Sequence, residues 1–202
     1  MLSEHKSNVI NIIKWFFLAT VIGCIVGVLD ALFLKILDKA INFRNGIPLF
    51  YLGLPFVLYG VAILGRKTAR RHKDYTTDAV INKINSYRPI SFISIFKGFT
   101  LSIVTMVTGG SAGKEAPCAD VGAGISSILA RWARMNPQDQ RKMMICGVSA
   151  GFAGVFGVPI SGALFGLEVL WAGHIFYEVM FPALVAGITA FQVTSLLGVD
   201  YI

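Results

Sequence analysis

Residues 109–117, Gly109-Gly110-Ser111-Ala112-Gly113-Lys114-Glu115-Ala116-Pro117, set a lysine beside a glutamate, behind a glycine-rich turn and ahead of a proline suited to a helix's first turn. A helix starting near Glu115 leaves its first backbone N–H groups without intrahelical partners, with the positive end of its dipole in the same place. It can therefore attract an anion without a full buried cation. The glycines permit close approach, and Pro117 gives up no hydrogen bond in a first turn. Glu115 then sits where an anion would sit, as a tethered carboxylate able to compete with it. In a soluble protein the same residues would be an ordinary helix start with a first-turn acid, so the surroundings decide.

Those surroundings are apolar. Hydrophobic residues make up 55% of the 202 and charged residues 14%, with a mean hydropathy of +0.68, outside the usual range for a soluble domain. Uncharged runs cover Trp15–Leu29, Ile47–Gly65, Gly98–Gly113, Met143–Leu167 and Val179–Val199. Several approach the length needed for a ~30 Å hydrocarbon core. The expected class is an all-α integral membrane protein, 1–202 forming one transmembrane domain with no soluble domain, and an ionisable pair in such a chain points to function.

The net charge of +7 is not spread as a nucleic-acid stripe, which excludes nucleic acid as the expected partner. Arg66, Lys67, Arg70, Arg71 and Lys73 follow the second apolar run, and Arg131, Arg134, Arg141 and Lys142 surround the loop before the fourth. By the positive-inside rule both loops are cytoplasmic, as are Lys6 and Lys14, so the segment between the loops enters and leaves on one side as a re-entrant or paired helix. Cys24, Cys118 and Cys146 lie in apolar segments without metal-ligand spacing and are expected to be small buried hydrophobes. His5, His72 and His174 are scattered. No metal, cofactor or nucleophile–base–orienter set is visible, so an enzyme is not expected.

The spacing predicts one long helix over 8–41 and a second over 48–70. Hydroxyl and carboxylate side chains in 74–78 suit the capping of a short helix from about Asp78 to Ser86. Pro89 opens a helix ending near Thr108. Others run from the Gly113–Pro117 turn to about Met135, from Asn136-Pro137 to Phe156, from Pro159 to near Trp171, and over Glu178–Leu197. Gly151–Glu168 is a second informative stretch, because Pro159 between two apolar runs implies a break at membrane depth. Glu168 closes the run, as a solvated helix-end carboxylate or as a pathway-lining group.

Gly113-Lys114-Glu115-Ala116-Pro117, followed in register by Gly122-Ala123, resembles the G-[KR]-E-G-P signature of the ClC chloride channels and proton/chloride exchangers. Gly151–Glu168 is similar to that family's G-x-F-x-x-P-x-x-G-x-L-F-x-x-E segment, and Thr77-Asp78-Ala79-Val80 to a stretch of many prokaryotic members. The resemblance covers most of the chain from about residue 10. It implies broken and re-entrant helices, one of two inverted repeats, and transport of chloride or a similar anion through a multi-pass protein of the cell membrane. That protein would be a voltage- or pH-gated channel or a proton-coupled exchanger.

The resemblance further implies that Glu115 is the gate and that the amides of Lys114, Glu115 and Ala116, beside Gly113, form the outer anion site. Tyr75, Thr76 and Thr77 are expected as hydroxyl donors, Glu168 as part of an internal pathway, and residues 147–199 as the contact of a homodimer. Three positions depart from the pattern: Asp74-Tyr75-Thr76-Thr77 replaces the first anion-site motif, placing Tyr75 at the usual serine; Ala116 replaces a glycine; and Val169 stands where some exchangers carry a second internal glutamate. The 202 residues match only the first repeat, whereas inverted repeats place their site at the interface between halves. The expectation is that this chain alone is not a selective conductor. A transporter of another solute and a non-conducting scaffold are the alternatives. Halide-insensitive uptake would favour the first.

Overall fold

Gly122 and Gly147 face each other where two central helices cross, and a β-carbon on either would collide with the other's carbonyl oxygen. That contact sets the frame. The computed structural model describes residues 2–46, 50–71, 77–169, 177–199 and 201. The elements are α1 (Leu2–Asn45), a 3-10 turn (Phe50–Gly53), α2 (Leu54–Arg71), α3 (Thr77–Asn85), α4 (Phe92–Val107), α5 (Glu115–Trp132), α6 (Pro137–Phe156), α7 (Pro159–Glu168) and α8 (Tyr177–Leu196). Among the described residues there is no strand.

The α5–α6 pair forms the core because its facing residues are small. Cys118, Ala123 and Ala130 of α5 and Cys146, Ala150 and Ala153 of α6 are fully buried. Backbones that approach this closely are held by summed dispersion contacts, the mode available where lipid gives apolar faces no incentive to associate. α1 and α8 pack against this pair and each other by the same device: a β-carbon at Gly23 would lie 2.6 Å from the Ala186 carbonyl oxygen.

Val9–Arg44 within α1 and Tyr177–Leu196 are each long and apolar enough to cross a membrane. At 1.5 Å per residue α1 runs roughly 66 Å, about twice a hydrocarbon core. One face of α1 is buried (Ala19, Ile22, Val26, Phe33) and the other presents Phe17, Val21, Val28 and Leu32 outward. Cys24 lies on the outward side and is exposed, contrary to the expectation for all three cysteines, whereas Cys118 and Cys146 are buried.

One end of the bundle is held by ion pairs. Lys14 of α1 reaches Asp139 at 3.4 Å, and Lys142 of α6 reaches Glu178 of α8 at 2.8 Å. The starts of α1, α6 and α8 therefore share an end, as the distribution of basic residues predicts for Lys14 and the 131–142 loop. Asn136 caps α6, its side chain accepting from the Asp139 N–H at 2.8 Å, with Pro137 in the first turn.

At the other end α6 stops at Gly157, whose φ of 71° is a left-handed conformation that a residue with a side chain rarely adopts. Val158 then sits at φ −122°, ψ 75°, outside the helical region as expected before a proline, and Pro159 starts α7. The predicted break is present, although α7 closes at Glu168 rather than near Trp171. α4 begins at Phe92 rather than at Pro89, and the Ile90 N–H ahead of it donates to the buried Ser127 hydroxyl of α5 at 3.1 Å.

Candidate functional site

α5 begins at Glu115, and Lys114, as its N-cap at φ −85° and ψ −17°, supplies no side-chain cap. The first-turn N–H groups are therefore left for another acceptor. The turn before them is built by Gly109 at φ 89° and by Gly110, whose N–H donates to the Thr105 carbonyl at 2.8 Å. It delivers Gly113 beneath the Glu115 side chain: a β-carbon at 113 would fall on the carboxylate of Glu115. The glutamate thus folds back over the start of its own helix, and only glycine at 113 leaves room for it.

Lys114 turns the other way. Its ammonium lies 5.5 Å from the centroid of the Phe156 ring, a cation–π distance. Among the described residues neither Lys114 nor Glu115 forms an ion pair. Glu115 is half-buried beside the helix start, the arrangement in which a carboxylate and a small anion compete for the same donors.

A cavity of about 70 Å³ opens beside the glutamate. α5 contributes Glu115, Ala116, Ala119 and Asp120 to its wall, α3 contributes Thr77, Val80, Ile81 and Ile84, and Val148, Phe165 and Val169 complete it. Thr77, expected as a hydroxyl donor, is therefore brought to the same space as Glu115 and Ala116. Its hydroxyl donates to the Asp120 carboxylate at 2.9 Å rather than capping α3. Gly113 and Lys114 are not part of the wall. Glu168 is exposed at the end of α7 and does not line the cavity, whereas its neighbour Val169 does. Tyr75 and Thr76 lie outside the described residues.

Two acids went unread in the sequence. Asp120, half-buried on α5, shares the cavity with Glu115. Asp30 of α1 is 1% exposed, within hydrogen-bond reach of the Cys118 thiol, and its Oδ2 has no hydrogen-bond partner. A β-carbon at Gly154 would strike that same oxygen. Nearby, Tyr201 donates to the Gly154 carbonyl at 2.6 Å and contacts the Thr194 hydroxyl. The usable signal for both acids was the rarity of carboxylates in apolar helices.

The family profile described as "Voltage gated chloride channel" matches residues 57–202. The chain is 34% identical over 189 residues to the chloride/fluoride channel protein of Pseudomonas syringae pv. tomato, covering 93% of this chain and 42% of that one. It is 24% identical over 212 residues to the chloride channel protein CLC-a of Arabidopsis thaliana, covering 87% and 27%. Among solved structures, a CLC-type fluoride/proton antiporter matches with a TM-score of 0.78 at 29% identity, over 93% of this chain and 48% of that one. A slow cyanobacterial chloride/proton antiporter shares the fold, with a TM-score of 0.73 at 21% identity. The chain spans less than half the length of these relatives. With the profile covering most of its residues, it belongs to the voltage-gated chloride channel family.

Proposed function

We propose that this chain lines one half of a transmembrane pathway for a halide or similar anion, in which Glu115 is the gate. The supporting observation is the Glu115 carboxylate folded over Gly113 at the uncapped start of α5, on the wall of the cavity. Ionised, the glutamate occupies the place offered to an anion. Protonated, it loses its attraction to the helix start and swings clear, so that anion entry rises as pH falls. The outer site consists of the Lys114, Glu115 and Ala116 amides. The relatives named as channels and antiporters support transport rather than catalysis, and the long apolar helices support a multi-pass place in the cell membrane.

The small residues of 147–166 pack inside the chain, Gly162 against Ala153 and Gly147 against Gly122. A homodimer would therefore use the outward face of α7 and α8, where Ile160, Leu164, Phe181 and Ile188 are exposed.

Because this chain alone is not expected to conduct, halide flux in proteoliposomes with a second repeat supplied tests the gate. Glu115→Gln and Glu115→Ala should give flux that no longer varies with pH while the pathway stays open. Wild-type pH dependence in both variants would remove Glu115 from the gating role.

A further inference from the structure

We propose that the cleft between the starts of α6 and α8 holds the phosphate headgroup of an anionic phospholipid. The site lies at the end of the bundle held by ion pairs and is separate from the gate. Its volume is about 560 Å³, inside the range of roughly 300–1,000 Å³ usual for ligand sites. The wall carries Arg141, Lys142 and Gln138 of α6, with the phenols of Tyr87 and Tyr177 as further donors. Ile145 and Val179 add apolar surface. Gln138 and Tyr177 stand in the first turns of their helices, so two positive dipole ends reinforce the two side-chain cations.

Arg141 is oriented before any ligand arrives. Its guanidinium donates to the Tyr87 hydroxyl and to the Asn85 side-chain oxygen, each at 3.2 Å, and lies 5.3 Å from the Tyr87 ring centroid. Both acceptors are neutral groups, which hold the guanidinium in place and reduce the ordering cost of binding an anion. Lys142 is paired with Glu178, whose side chain is 81% exposed. A pair so open to water is weakly held. A phosphate carrying the same sign of charge can therefore take the place of the Glu178 carboxylate against Lys142.

The depth of the cleft favours lipid over dissolved phosphate. Lys142 also lies 5.9 Å from the Trp15 ring centroid, and Trp132 and Tyr177 are largely exposed at the same end. Trp and Tyr collect at the headgroup level of a bilayer. A basic pocket between helices on the cytoplasmic side is the arrangement that takes an anionic headgroup.

The test is native mass spectrometry of the purified chain in mixed micelles of phosphatidylcholine and phosphatidylglycerol, counting the lipid retained, with thermal unfolding as a check on folding. The wild type should retain phosphatidylglycerol in preference to phosphatidylcholine. Arg141→Gln should lower that retention about fivefold. Arg134→Gln removes the same charge from the same end but off the cleft wall, and should leave retention unchanged. Glu178→Gln removes the competing carboxylate and should raise it. No preference in the wild type overturns the proposal, as do equal losses in Arg141→Gln and Arg134→Gln, which would mean attraction to a charged surface without a site. Soluble glycerol phosphate displacing the lipid as well as phosphatidylglycerol does would assign the cleft to a dissolved anion and overturn the lipid assignment. If Arg141→Gln does not fold, Glu178→Gln decides: unchanged retention rejects the site.

Discussion

The two ends of the α5–α6 pair carry charge in opposite ways. Near the α5–α6 turn the charges are numerous and two pairs are matched, Lys14 with Asp139 and Lys142 with Glu178, with Asn136 capping the helix between them. At the start of α5 they are few and, among the described residues, form no ion pair: Glu115 folds over a glycine, Lys114 leans on an aromatic ring, and Asp120 accepts from a hydroxyl. Matched charges at a wet surface contribute little beyond solubility and orientation. Unmatched charges in apolar surroundings are costly to hold and are kept where they do chemistry. The difference shows that the number of charges is a poor guide to function here, and their missing partners a good one.

Substitutions should separate the ends. The largest effect is expected between them: Gly147→Leu forces a side chain into the Gly122 carbonyl and should cost about 3 kcal/mol or more, since backbone on both sides cannot yield as a core side chain can. Thermal unfolding in detergent, or loss of a monodisperse species, would show it. A tolerated Gly147→Leu would mean that the crossing is looser than described.

At the functional end Gly113→Ala should leave stability nearly unchanged and alter gating. The methyl group pushes the Glu115 carboxylate off its place, at a cost of about 1 kcal/mol, or roughly fivefold in occupancy of the closed position. Halide flux at neutral pH should rise accordingly. At the charged end the reverse is expected. Asn136→Ala should cost about 1 kcal/mol of stability through the lost cap and leave the pH profile of flux where it was. An altered pH profile in Asn136→Ala would blur the distinction between the ends.

What was legible in the sequence follows the same division. Asn136-Pro137, Gly157 with Pro159, and Glu115 announce helix ends because their chemistry is local, and the structure starts or breaks helices there. The end of α5 at Trp132 was not legible. Arg134, at φ 51°, makes the left-handed turn that a glycine would have signalled, and Met135 closes it by donating to the Ala130 carbonyl at 3.0 Å. The segment ahead of α4 is tied to Ser127, 37 residues away, a contact with no local signal. Of the residues that line the cavity, Glu115, Ala116 and Thr77 share a motif or lie near one. Asp120 gains its meaning only from α3 folding across it, and Asp30 only from Cys118 and Gly154, contacts that no local pattern encodes.

The central claim is that the Glu115 carboxylate and an anion compete for the start of α5. Calorimetric titration of chloride and fluoride into the purified protein, at acid and neutral pH, tests it directly in wild type and Glu115→Gln. The expected result is halide binding that weakens in the wild type as pH rises and Glu115 ionises, against tight and pH-independent binding in Glu115→Gln. Equal affinities for the two proteins at both pH values would contradict the account.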